Sequence, residues 1–339
     1  MTQSPTISLC MIVKNEETFL QQCLESVHPL IDEIIIVDTG STDQTIKISK
    51  NFQARIFHYD WDDHFANARN TGLQQATGDW ILWLDADEQI DYHKIEELRQ
   101  TLQQTDAAVL SLPIINYISD TLEDSHNQAY LYHQPRLFRN HQHIQFIHRI
   151  HETLDIPNPV TVEYLDIPIY HFGYITEVNK QKKKADRNKR LLMKDYNKPN
   201  HSPWIEYHLA SEFYREQDYQ KAFEFINQSL LQFLLALKKP PALLYKLKYD
   251  ILLRTNSLDQ ALIGIEKAIQ LYPDYVDLHF YKGCLLFEQG DYSEALDCFN
   301  RCLELGDHHP HYLILKGVGS DKALEYKKAC LNKLKIEDK

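Results

Sequence analysis

Trp80-Ile81-Leu82-Trp83-Leu84-Asp85-Ala86-Asp87-Glu88 is an apolar run that ends abruptly in two aspartates one residue apart. The run reads as a buried strand, and its polar stop as the point where the chain leaves the core. Two carboxylates placed there can hold a hard divalent cation whose remaining positions take diphosphate oxygens. Taken alone the pair is weak evidence, because Asp-x-Asp is more often a helix cap or a solvated turn. Its weight depends on the surrounding sequence.

Over roughly the first 110 residues, short apolar strands alternate with amphipathic helical stretches. Ile7 to Val13, Glu33 to Asp38, Ala54 to Tyr59, Trp80 to Asp85 and Ala107 to Pro113 read as strands. Between them, Thr18 to Val27, Asp43 to Lys50, Phe65 to Gln75 and His93 to Gln104 read as helices. This alternation predicts an α/β domain with a Rossmann-like, mostly parallel sheet. Ligands of such sheets bind at the carboxyl ends of the strands, where Asp38 and Asp85 each end an apolar run. From about Asn116 to His171 the pattern breaks into shorter pieces, punctuated by Pro135, Pro157, Pro159 and Pro168, which predicts antiparallel strands and loops. Six histidines fall between His126 and His151.

The 339 residues suffice for two cores, and the formal charge of −12 argues against nonspecific nucleic-acid binding. Residues 1–6 are polar and lead straight into a strand, without the pattern of a secretory signal. Ile34 to Val37 and Leu230 to Leu237 fall far short of the ~20 residues that cross a bilayer. A soluble, cytoplasmic chain is expected. The six cysteines contain no Cys-x-x-Cys and sit in apolar patterns, as buried thiols do; Cys298 and Cys302 share a helix face but read as core rather than as a zinc or redox pair.

Beyond Gly173 the composition turns helical and a repeat emerges. Ala222, Ala261 and Ala295 align within Asp218-Tyr219-Gln220-Lys221-Ala222, Leu258-Asp259-Gln260-Ala261 and Asp291-Tyr292-Ser293-Glu294-Ala295; the last step is 34 residues, the first five longer. The extra length fits an insertion between Leu230 and Pro241. Ala210, Tyr249 and Gly283 lie twelve before, and Ser229, Ala268 and Cys302 seven after. This resembles the tetratricopeptide repeat over about Pro203 to Asp307, Tyr249 departing from the small residue expected there. Lys316-Gly317 matches Lys282-Gly283 as the start of a truncated or capping unit. The organisation expected is a catalytic domain at 1–175, a basic helical linker at 176–202 and a helical repeat domain at 203–339. The linker's nine basic residues between Lys180 and Lys198 read mainly as a solvated helix, with a place near a diphosphate or an acidic acceptor as the alternative.

The motifs of the first half occur in a fixed order. Leu9-Cys10-Met11-Ile12-Val13-Lys14-Asn15-Glu16-Glu17 comes first, then Asp32-Glu33-Ile34-Ile35-Ile36-Val37-Asp38-Thr39-Gly40-Ser41-Thr42-Asp43, Ala66-Asn67-Ala68-Arg69-Asn70, Gly78-Asp79 and the Asp-Ala-Asp. The set resembles the family 2 glycosyltransferases of the GT-A fold over roughly Ile7 to Tyr174. The resemblance implies nucleotide-sugar binding by Asn15 or Glu16, Asp38, Arg69 and Asp85. It implies Mn²⁺ or Mg²⁺ held mainly by Asp87, with Asp85 on ribose or metal. Arg69 has a plainer reading as a surface ion pair with Asp62 or Asp63; Gly40-Ser41-Thr42-Asp43 reads equally as a turn and helix N-cap, and Glu88 as a cap for the following helix.

Inversion at the sugar carbon, also implied by the resemblance, requires a base for the acceptor's proton. Arg136-Leu137-Phe138-Arg139 followed by Arg149-Ile150-His151-Glu152 resembles the corresponding region of repeat-bearing members, which nominates Glu152, with Asp155 as second choice. His171, in His171-Phe172-Gly173-Tyr174, is expected to complete the metal shell or face the diphosphate; its alternative is a packed histidine between domains. His141, His143, His148 and His151 read as surface or cleft residues rather than a zinc set. The function expected is metal-dependent transfer of a hexose or N-acetylhexosamine from a UDP-sugar to a peptide or protein presented by the repeats, a layout similar to bacterial peptide S- and O-glycosyltransferases. A lipid-linked or cell-surface saccharide acceptor, with the repeats docking a protein, is the second reading, and a non-catalytic scaffold the remotest. A homodimer is left open.

Overall fold

The computed structural model describes residues 4–118, 128–157, 159–173 and 178–337. His126, Tyr174 and the expected boundary at 175 lie outside them. The chain forms two compact units, one from residues 1–122 and 132–176, the other from 123–131 and 177–339.

In the first unit β1 (Ile7–Val13), β2 (Glu33–Asp38), β3 (Arg55–His58) and β4 (Trp80–Trp83) run parallel in the order β3-β2-β1-β4. Leu9, Met11, Ile36 and Leu82 pack on one face with Leu20 and Leu24 of α1 (Leu20–Val27). Cys10, Ile35, Ile81 and Trp83 pack on the other with Ala66, beyond α2 (Thr45–Asn51), in α3 (Phe65–Leu73). Strands covered on both faces need apolar residues at every position, which is why these runs are unbroken in sequence. The register sets Val13 opposite Asp38 and Cys10 opposite Trp83, so the first residues past β1, β2 and β4 gather at one edge.

The sheet continues as β4-β7-β6-β11-β5. These strands are β5 (Glu88–Ile90), β6 (Val109–Tyr117), β7 (Ala129–Arg139) and β11 (Ile169–His171); α4 (Ile95–Gln104) joins β5 to β6. β8 (Gln145–Ile147) and β9 (Thr153–Asp155) form a separate hairpin. β7 is antiparallel to β4, as expected, but β10 (Val162–Tyr164) and β11 run parallel to β6. Val162 sits opposite Val109 and Ile169 opposite Ile114, so two three-residue strands follow β6 along its length in its own direction. Strands this short carry no pattern that fixes their sense in sequence.

In the second unit the stretch read as a linker is a packed helix. α5 (Val178–Tyr196) buries Leu191 and Leu192, and Asn188 Nδ2 donates to Glu212 Oε1 at 3.0 Å. Three helix pairs follow: α6 (Trp204–Arg215) with α7 (Tyr219–Leu235), α8 (Ala242–Arg254) with α9 (Leu258–Leu271), and α10 (Val276–Gln289) with α11 (Tyr292–Leu305). The aligned Ala222, Ala261 and Ala295 are all fully buried. A Cβ on Gly283 would stand 2.8 Å from the Phe299 ring, which explains the small residue there. Tyr249 is accommodated because Gly264 faces it: a Cβ at 264 would lie 2.9 Å from the Tyr249 hydroxyl. Among the described residues no helix is long and apolar enough to cross a membrane.

Lys316-Gly317, expected to start a truncated or capping unit, do not lie in a helix as Lys282-Gly283 do. These residues form the turn after β12 (Ile314–Leu315), and one helix, α12 (Asp321–Glu337), follows. β12 pairs antiparallel with Tyr130 and Leu131, and the Lys316 N–H donates to the Ala129 carbonyl at 2.9 Å. The second unit thus includes the first residues of β7. The Lys246 ammonium lies 5.0 Å from the Tyr130 ring centre, 2.9 Å from Asp277 Oδ1 and 2.9 Å from the Tyr281 hydroxyl. Burial disfavours that ammonium, yet Asp277 beside it raises its pKa well above the ordinary lysine value.

Candidate active site

The loops after β1 and β2 lock into each other. Asn15 takes φ +56°, a conformation asparagine tolerates better than most residues. Its Oδ1 accepts from the Thr42 N–H at 2.8 Å, and its own N–H donates to Ser41 Oγ at 3.1 Å. Glu16 N–H donates to Thr45 Oγ1, Glu17 N–H to Asp43 Oδ2, and Glu17 Oε2 accepts from Gln44 N–H. Asp43 Oδ1 takes the Thr45 N–H at 2.9 Å, so the turn-and-cap reading of Gly40-Ser41-Thr42-Asp43 describes this loop. Asp38, 6% exposed, accepts the Ser41 N–H at 3.0 Å with one oxygen and has His58 Nδ1 3.6 Å from the other. Much of the acceptor capacity of Asn15 and Asp38 is spent shaping the loops.

Arg69 makes neither surface pair weighed from sequence. Its guanidinium is buried between the Trp83 ring, at 4.7 Å, and the Phe146 ring, at 5.3 Å. It donates through Nε to Glu152 Oε1 and through a terminal nitrogen to Asp85 Oδ1, both at 2.6 Å. Asp62 instead accepts from Asn67 and Asp63 from Trp61, on the exposed approach to α3. A planar fork with several donors can tie two carboxylates from distant loops to one point. Burial alone would raise the Asp85 pKa, but Arg69 and then Arg136 outweigh it and bring it down to about 2. The Asp85 side chain remains 38% exposed, so a carboxylate stays accessible at the edge.

Two residues on, Asp87 Oδ1 stands 3.4 Å from His171 Nε2, and the Phe172 N–H donates to the Asp87 carbonyl at 2.9 Å. Burial opposes charge on His171, yet the Asp87 carboxylate raises the imidazole above its ordinary pKa. A Cβ on Gly173 would collide with Asp87 Oδ2 and fall 2.7 Å from His171 Nε2, so only glycine leaves space beside this pair. A carboxylate, an imidazole and the space kept by a glycine fit a divalent cation that completes its shell with diphosphate and water oxygens. The expected trio is not gathered, because Arg69 takes Asp85; among the described residues no three His, Cys, Asp or Glu form a ready-made cage.

The structure therefore brings Arg69, Asp85 and Glu152 together, sets Asp87 two residues from Asp85 with His171 against it, and holds Asn15, Glu16 and Asp38 in the neighbouring loops. Asp155 is exposed at the end of β9. His141, His143, His148 and His151 all take positive φ, between 52° and 76°, rather than strand geometry. Glu88 caps no helix. It is buried in β5 and forms a bidentate pair with Arg136, at 2.6 and 2.8 Å. Arg136 and Gly173 carry roles that sequence reasoning missed. An arginine inside a strand must find a buried acid, a signal that could have found Arg136; nothing in sequence points to Gly173.

Comparison with known proteins places this geometry in context. The model of glycosyl transferase family 2 matches residues 8–157, and that of the tetratricopeptide repeat matches residues 276–308. A TPR repeat-containing protein of Synechococcus elongatus is 33% identical over 78% of this chain and 66% of its own length. The SPbeta prophage-derived glycosyltransferase SunS of Bacillus subtilis is 24% identical over 84% of this chain and 68% of its own. The chain thus spans about two thirds of the length of these relatives. S. aureus TarS, residues 1–349 with UDP-GlcNAc, is 14% identical over 76% of this chain and 89% of that one, with a TM-score of 0.41.

Proposed function

We propose that this chain, which carries an N-terminal family 2 glycosyl transferase domain and C-terminal tetratricopeptide repeats, moves a hexose or N-acetylhexosamine from a UDP-sugar to a peptide or protein acceptor. The observation that carries the reading is the carboxyl edge of the sheet, where Asp85 is held on Arg69 and Asp87 stands beside His171 over the gap kept by Gly173. The loops of Asn15, Glu16 and Asp38 border the same edge and would receive the nucleoside, through acceptors suited to ribose hydroxyls and a uracil N–H. The tetratricopeptide repeat matched at residues 276–308 favours a polypeptide acceptor, because stacked helix pairs of this kind form an extended concave binding surface that would act as the presenting module.

Asp87 and His171, with Asp85 at hand, would hold Mn²⁺ or Mg²⁺, which supplies the positive charge that stabilises a departing diphosphate. Glu152 would take the acceptor's proton as the nucleophile bonds to the sugar C1. The electron pair of the C1–oxygen bond leaves with UDP, and the configuration at C1 inverts. Arg69 would keep Glu152 and Asp85 at a fixed separation across this step. Asp155, out on the hairpin, is the weaker choice of base.

The test is release of nucleoside diphosphate from a panel of nucleotide sugars with Mn²⁺ or Mg²⁺, then with candidate peptides added. Hydrolysis or transfer that stops in EDTA and returns with metal is the expected result. Undiminished turnover in EDTA, or no release from any sugar nucleotide, would overturn the reading.

A further inference from the structure

The geometry points to Arg136 and Glu88 as positioning residues that set the backbone of the Asp85–Asp87 turn from behind. The inference rests on the nucleotide-sugar reading of that turn. Glu88 grips Asp85 at both main-chain groups: its Oε2 accepts the Asp85 N–H at 2.8 Å, and its own N–H donates to the Asp85 carbonyl at 3.1 Å. Arg136 holds Glu88 in turn, donating to Oε2 at 2.8 Å and Oε1 at 2.6 Å, and reaches the Trp83 carbonyl at 3.4 Å. Its guanidinium lies 3.8 Å from the centre of the Trp83 ring, whose indole N–H donates to the Pro135 carbonyl at 2.9 Å.

The two charged side chains are each 2% exposed, so they cannot meet a substrate themselves. Burying two charges this far is costly, and a stability role alone would be served as well by apolar residues. What an apolar pair would not provide is an acceptor for the Asp85 N–H or a fixed entry to the turn. Asp85 leaves that turn toward Arg69, and Asp87 toward His171. A displacement of about 1 Å at such a point is enough to cost ~100-fold in rate.

Arg136→Lys keeps the charge and removes the fork. Calorimetric UDP binding, with and without Mn²⁺, reads the effect apart from turnover. Wild type should bind UDP more tightly with Mn²⁺. R136K should keep its metal-free affinity and lose most of the gain, with kcat falling ~10- to 100-fold and donor KM changing less than ~3-fold. If R136K does not fold, Glu88→Leu/Arg136→Met replaces the pair by apolar groups that restore packing, and the same loss is expected. A folded variant with the full Mn²⁺-dependent gain and wild-type kcat would overturn the positioning role alone. A wild type that binds no UDP under either condition would overturn the reading of the site, and this role with it.

Discussion

Both units bury charge, and they do so to different ends. In the helical unit Lys246, Asp277 and Tyr281 close on one another, with the two charged side chains 5% and 0% exposed. At the sheet edge Arg69 is as deeply buried, yet of the two carboxylates it holds, Glu152 is 12% and Asp85 38% exposed, and the neighbouring Asp87 and His171 are 16% and 20% exposed. Buried charge therefore does not by itself mark an active site. What marks one is a buried cation that spends its bonds fixing anions at the open end of parallel strands, where a ligand's own charge can be met.

The contrast breaks most sharply at Asp87. Asp87→Ala is expected to lower UDP release from the donor by ~10³-fold or more while the melting temperature stays near wild type; a rate within tenfold of wild type would put the sheet edge on the same footing as the helical unit. The converse is Lys246→Met, which strands Asp277 and should cost about 3 kcal/mol of stability in urea unfolding, with UDP affinity unchanged. Adding Asp277→Leu should recover most of that loss; no recovery would mean the pair does more than satisfy itself. Gly173→Ala sharpens the contrast within the site. Its Cβ intrudes on Asp87 and His171, so Mn²⁺-supported UDP affinity should drop ~10-fold, while metal-free affinity holds.

The smallest effect lies at His201, whose Nε2 is 2.7 Å from the buried Glu206. Burial opposes its charge, but Glu206 raises its pKa above the ordinary histidine value. A raised folded-state pKa means the stabilisation is complete below that ordinary value and is lost as pH rises through the raised one. The stability gap between wild type and His201→Gln should be under about 1 kcal/mol at pH 5.5 and vanish by pH 8.5. A gap that grows with pH would show that Glu206 is not the partner that matters.

The strands Ile7–Val13 and Glu33–Asp38 were legible to the residue because a strand covered on both faces leaves an unbroken apolar run bounded by turns. The repeat was legible because small residues recur wherever helices touch. Tyr249 looked like a defect only because its compensation, Gly264, lies fifteen residues on and carries no signal of its own. At the site, the ordered motifs located the edge but not the pairings. Arg69 could be placed on α3, yet its partners come from the end of β4 and from the segment before β9, and only the closed sheet brings those together. Glu88 looked like a cap because the arginine that claims it is 48 residues away.

The three residues at the head of β7 are held by backbone bonds to β12, some 180 positions later in the chain, and are built into the helical unit. A gene fragment cut after the catalytic motifs would carry Ala129, Tyr130 and Leu131 away from the residues that satisfy them, leaving bare peptide groups ready to recruit other copies. Recombination that shuffles either half must therefore carry this short stretch together with the repeats.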